Sequence, residues 1–145
     1  MSADSLWDVQ TGVYALLTST AALTGQLANG AAGVLDHVPV GTAFPYVVLG
    51  AASAVPSDTQ GFSGNEVTLT IDTYSHGAGM EQTRKIMSAI YDALHNAVFA
   101  VPNQVLVQCQ CISSATAVEA DGLKRNVQND LVRHGAQKFR IVTEP

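Results

Sequence analysis

Two cysteines, four histidines and twelve carboxylates are the groups in this sequence that could do chemistry. Cys109 and Cys111 form a C-x-C pair that an alternating apolar pattern places on one face of a strand. Two thiolates are half of a tetrahedral zinc site, and structural zinc sites usually complete the set with a second paired motif. His37, His76, His95 and His134 stand singly, so no metal site is expected. A nucleophile built from either cysteine and His134 lacks the electropositive, part-exposed setting that generates a thiolate. Both cysteines therefore read as buried apolar side chains. A disulfide between them is disfavoured, because residues two apart on a strand stand near the limit of bridging distance. Gly77-Ala78-Gly79 ahead of a helix invites a phosphate-cradling loop, yet neither G-x-x-x-x-G-K-S/T nor G-x-G-x-x-G occurs. These glycines read instead as a sharp strand-to-helix turn. The carboxylates show no pairing along the chain. No catalytic, cofactor or metal site emerges, and the chain reads as a non-enzyme.

The composition narrows the remaining classes. A length of 145 residues fits one domain, taken as 1–145, and 47% hydrophobic residues suffice for an ordinary core. Only 13% of the residues are charged, about half of the roughly 25% of soluble domains. Thr, Ser, Gln, Asn, Gly and Ala must then fill the surface. Such a surface suits later cover by partners, since interface cores are depleted of charge; a domain that simply uses neutral polar residues would look the same. The net charge is −5 and no cluster of Lys and Arg stands out. Specific DNA binding is disfavoured, because it depends on cations that displace counterions from phosphates. A channel that lets DNA pass is compatible with mild repulsion. No stretch reaches the roughly 18 apolar residues of a membrane span. The start, Met1-Ser2-Ala3-Asp4, lacks the features of a signal peptide, and a reducing cytoplasm is expected.

The pattern along the chain predicts the elements that position these groups. Leu6, Val9, Val13, Leu16 and Leu17 recur at helical spacing, with Ser5 and Asp8 resembling a capping box. Residues 20–28 read as a short helix halted by Asn29-Gly30, and 34–38 as a short strand. Residues 45–51 are apolar on both faces and predict a strand buried on both sides; 53–64 read as a loop. Residues 66–75 alternate, with Val67, Leu69, Ile71 and Thr73 on one face. A second amphipathic helix is expected over 80–98, with Ile86, Met87, Ile90, Leu94, Ala97 and Val98 as its apolar stripe. Residues 104–112 predict a strand with Val105, Val107, Cys109 and Cys111 on one face, and 136–143 a last strand with Phe139 and Ile141 inward. The fold class is α+β: a mainly antiparallel sheet of four or five strands with two main helices packed largely on one face.

One family resemblance adds to this reading. Residues 34–50 run through Asp36-His37-Val38-Pro39, a small loop, and Phe44-Pro45-Tyr46-Val47 to Gly50. This resembles the hallmark of the tail-completion or tail-terminator proteins of long-tailed phages and gene transfer agents. Leu17 to Leu27, Glu66 to Tyr74, Ile86 to Leu94, Arg133-His134-Gly135 and Phe139-Arg140 resemble further family segments in the right order. The departure is 123–132, which looks like an insertion. The resemblance implies a mechanical role. Six copies close a ring on the last layer of the tail tube, stop its growth and offer a new face to the head-completion or stopper protein. It implies a homo-hexamer in the virion tail at the head–tail junction, with host cytoplasm as the place of assembly.

Long loops are either functional or mobile. The loops at 53–64 and 117–132 are the expected partner contacts, through Asp58, Gln60, Phe62, Glu119, Asp121, Lys124 and Arg125. The alternatives are another ring layer of the connector or tail tube, and, from outside that class, a small α+β ligand-binding module or a cryptic hydrolase.

Overall fold

The computed structural model describes residues 5–56, 64–77, 79–118 and 131–144. Its centre is the alternating segment, which forms strand β3 (Asn65–Gly77) with Val67, Leu69, Ile71 and Thr73 buried. Strands β2 (Tyr46–Pro56) and β5 (Leu131–Glu144) pair with it on either side, both antiparallel. Strand β4 (Val105–Val118) adds antiparallel to β5, and the two-residue β1 (Val34–Leu35) adds parallel to β2. The order is β1-β2-β3-β5-β4. The α+β class and the largely antiparallel sheet are as expected; the parallel β1 makes the sheet mixed.

Helix α1 (Leu6–Thr18) and helix α3 (Glu81–Leu94) share one core cluster with the sheet. Val9, Val13 and Leu17 of α1 and Ile86, Ile90 and Leu94 of α3 meet Val47, Leu49, Leu69, Ile71, Phe139 and Ile141 there. Two glycines allow the close approaches. A Cβ on Gly12 would lie 2.7 Å from the Ala100 carbonyl oxygen, and one on Gly135 would meet Met87 and Thr83 of α3. Polar groups also tie α3 to the sheet. Ser75 and Thr83 share a short buried hydroxyl–hydroxyl hydrogen bond, and the buried Gln137 amide donates to the Met87 carbonyl at 3.0 Å.

Several expected boundaries move. Ser5 stands at the helix start without a side-chain capping bond, so the capping box with Asp8 does not form. The helix expected over 20–28 is one turn, α2 (Ala21–Thr24), followed by turns and a 3-10 helix, Gly30–Gly33. The strand expected over 34–38 stops at Leu35. Strand β2 buries one face only, through Val47 and Leu49, and it runs on to Pro56, four residues into the expected loop. Helix α3 ends at Leu94 rather than 98 because His95 turns to extended backbone, which leaves Val98 in solvent. The last two strands are far longer than expected: β4 continues through 113–118 and β5 begins at Leu131. Backbone pairing carries a strand through a run with weak apolar periodicity, because each ladder bond is independent of side-chain type.

Strand β4 also departs from plain alternation. Its register against β5 shifts between Leu106 and Gln108 and again between Cys111 and Ser113. Each bulge adds one residue and reverses which side chains face inward. Leu106, Cys109 and Cys111 therefore pack toward the core, while Val105 and Val107 are exposed, contrary to the single-face expectation.

Candidate assembly surfaces

The two cysteines pack against the core. Cys109 is buried, and burial, with Cys111 as a smaller cause, pushes its thiol from an ordinary 9.0 up to about 12. Cys111 is half-buried, not buried as expected, with its thiol 3.5 Å from the Ser113 carbonyl oxygen. Among the described residues no group of three His, Cys, Asp or Glu is placed to hold a metal, and no helix is long and apolar enough to cross a membrane.

The sheet face turned from the core carries a cross-strand row. Tyr46, Tyr74 and His134 lie opposite one another on β2, β3 and β5. Tyr74 stacks on Tyr46 at 5.4 Å and on the His134 ring at 4.7 Å. Phe44 extends the row against Tyr46 and His76. The Asp72 carboxylate bonds His134 Nε2 at 2.8 Å, and a Cβ on Gly50 would lie 2.6 Å from Asp72 Oδ2. Farther along, Arg140 grips Glu66 through both oxygens, at 2.8 and 3.3 Å, and donates to Gln108 at 2.9 Å. The hydrogen bond from Arg140, with its positive charge as a smaller cause, holds the Glu66 carboxyl below its ordinary value. These contacts bind neighbouring strands.

The two lateral edges of the sheet differ from that face. At the β1 edge, Trp7 (69% exposed) and Tyr14 (45%) project one above the other from α1, seven residues apart. With Gln10, Thr11 and residues 34–36 they line a groove of about 390 Å³. At the opposite edge, β4 exposes Val105, Val107 (53%) and Ile112 (52%). Val107 and Ile112 are the extra residues of the two bulges. The middle of that edge is covered: the Asn96 N–H donates to the Cys109 carbonyl at 2.8 Å, and the Cys111 N–H donates to His95 Nδ1 at 3.1 Å. A second groove, about 340 Å³, runs between α3 and β4 past Arg84, Tyr91, Ser114 and Thr116.

The residues expected to touch partners, Asp58, Gln60, Phe62, Glu119, Asp121, Lys124 and Arg125, all lie outside the described residues. The strand ends that bracket them are described. Residues 57–63 connect β2 to β3 beyond the Pro56–Asn65 pair, and 119–130 connect β4 to β5 beyond the Val118–Arg133 pair. Asn65 pairs with Thr143 and Gly77 with Leu131, so the two connections leave from opposite ends of the sheet. Sequence reasoning missed Trp7, Tyr14, Val107 and Ile112. For the aromatic pair a signal existed, because residues seven apart share one side of a helix, away from the apolar stripe. For the bulge residues none did.

The profile of one protein family, tail completion protein gp17, matches residues 11–144. The chain belongs to the tail completion protein family. No curated protein matches it by sequence. Among solved structures, a chain of the virion of a native gene transfer agent particle superposes with a TM-score of 0.80 at 23% identity, covering 99% of this chain and 100% of that one. At that identity the likeness speaks for the fold. The family places the chain among structural components of phage tails.

Proposed function

We propose that this chain is a tail terminator. Six copies close a ring on the last layer of the tail tube, end its polymerisation and present the surface that joins the head. The observation that carries this reading is family membership over residues 11–144. The matching solved chain belongs to the virion of a gene transfer agent particle, a setting of the same kind. The work is mechanical, not catalytic. A tube grows by head-to-tail stacking until a layer arrives that cannot accept another.

The two connections at opposite ends of the sheet suit a layer with two axial faces. One set of Asp58, Gln60 and Phe62, and another of Glu119, Asp121, Lys124 and Arg125, would meet the tube on one side and the head-completion protein on the other. The whole chain acts as one domain at the head–tail junction, assembled in host cytoplasm, and DNA passes through the lumen without specific binding. No cofactor enters. The test is tube assembly from purified tail tube protein. Adding this chain at about one ring per growing end should halt elongation and leave it visible at one tip by gold labelling. Label spread along the tube would make it a tube subunit instead, and unaltered elongation would contradict capping.

A further inference from the structure

We propose that neighbouring copies of this chain meet head to tail, the Trp7–Tyr14 groove of one against the β4 edge of the next. The inference rests on the ring reading above and names the surfaces that close the ring. A closed ring of identical subunits needs two different patches on each subunit, set on opposite sides. The sheet provides that arrangement, with β1 at one lateral edge and β4 at the other. Trp7 and Tyr14 stand at the first, and Val107 and Ile112 at the second.

Single charged groups mark the same two edges. All seven cations of the chain lie from Arg84 onward, so none belongs to α1, β1 or β2. Of the acids before Arg84, Glu66, Asp72 and Glu81 are paired elsewhere, with Arg140, His134 and Lys85. Asp36, exposed, lines the aromatic groove and accepts a hydrogen bond from Gln10 at 3.3 Å. The exposed Lys138 lies opposite Ser113 beside the Ile112 bulge, and Arg84 reaches Thr116 of β4 at 3.3 Å. Among the described residues neither cation has an ion-pair partner within its own chain. An edge without cations thus faces an edge that carries them when copies are placed side by side. Such complementarity favours the heterologous contact over either edge meeting its own copy.

One hydroxyl of the groove is also cheap to dry. Thr11, which lines it, already donates to the Trp7 carbonyl at 2.9 Å. A hydroxyl bonded to its own helix loses little when water leaves. On the other edge, two bulges and the cover from His95 and Asn96 interrupt the free backbone groups, which blocks extended strand addition. Side chains make the contact: Val107 and Ile112 as apolar knobs, Trp7 and Tyr14 as the receiving wall. Contact through the lateral edges leaves both strand ends free for the tube and the head.

The experiment places a benzophenone amino acid at Tyr14 of the full chain, caps tail tubes with an equal mixture of light and ¹⁵N-labelled copies, and photolyses them. Crosslinks between copies, joining position 14 to a peptide within 105–118, are expected, and Asp36→Lys should lower their yield severalfold. The same photoreactive residue at Ile112 should return crosslinks to α1, which guards against a folding defect at either position. Tubes that are capped but crosslink through α1 to α1, to the tube protein or not at all overturn the inference and leave the ring reading standing. Failure of both labelled chains to cap, when the unlabelled chain also fails, sinks the ring reading and this inference with it.

Discussion

Asp72 has room for its carboxylate because Gly50 across the strand pair lacks a Cβ, and it spends that carboxylate on His134. The Asp72–His134 bond joins β3 to β5 beside the stacked Tyr74, so its loss strips one polar tie from the outer face. Asp72→Ala should lower unfolding stability by about 1–2 kcal/mol, the worth of a hydrogen bond to a charged group that is part-buried. Urea denaturation measures it. Cys109 offers a second check. Its thiol titrates near 12 in the folded chain against 9.0 ordinarily. Below the ordinary value both folded and unfolded chains keep the proton, and the stability from burial is whole. Between the two values the unfolded thiol ionises first, so stability falls as pH rises through that window. At neutral pH, a thiol reagent should modify Cys111 and leave Cys109 untouched until the chain unfolds.

At the scale of elements, α1 depends on a close approach that only glycine allows. Gly12→Val would drive a side chain into the Ala100 carbonyl. A loss of about 1–3 kcal/mol is expected, as for overpacking elsewhere, read as a fall in melting temperature. His95 has a different task. Its Nδ1 accepts the Cys111 amide proton and closes part of the β4 edge. His95→Ala should leave the fold in place and speed hydrogen exchange at Cys111. The long β4–β5 pair also limits how much of the apparent insertion at 123–132 can be removed. Val132 is buried and Leu131 pairs with Gly77, so only 123–130 of the apparent insertion can be trimmed without cutting into β5. Trimming 123–130 should preserve the melting temperature while impairing attachment to tail or head. The core of this fold was legible in the sequence, because period-two burial in β3 and period-3.6 burial in α3 write themselves into residue types. The β4 faces were not, since a bulge depends on backbone pairing and leaves no compositional mark. The length of β4 and β5 was hidden for the same reason. Of the candidate site, the family motifs were legible, and the structure gives them work: Val47 in the core, Tyr46 in the aromatic row, His134 on Asp72 and Gly135 beneath α3.

For the whole molecule, the low charge and membership of a family of tail components fit a subunit that acts by shape. The sheet divides its surroundings into two lateral edges, β1 and β4, and two ends that carry the connections between strands. A ring layer needs that division: neighbours at the sides, tube and head above and below. The most direct measurement is electron microscopy of particles assembled without this chain. The account predicts tails of uncontrolled length that fail to join filled heads, with both defects repaired by supplying the chain. Tails of normal length joined to full capsids would contradict it.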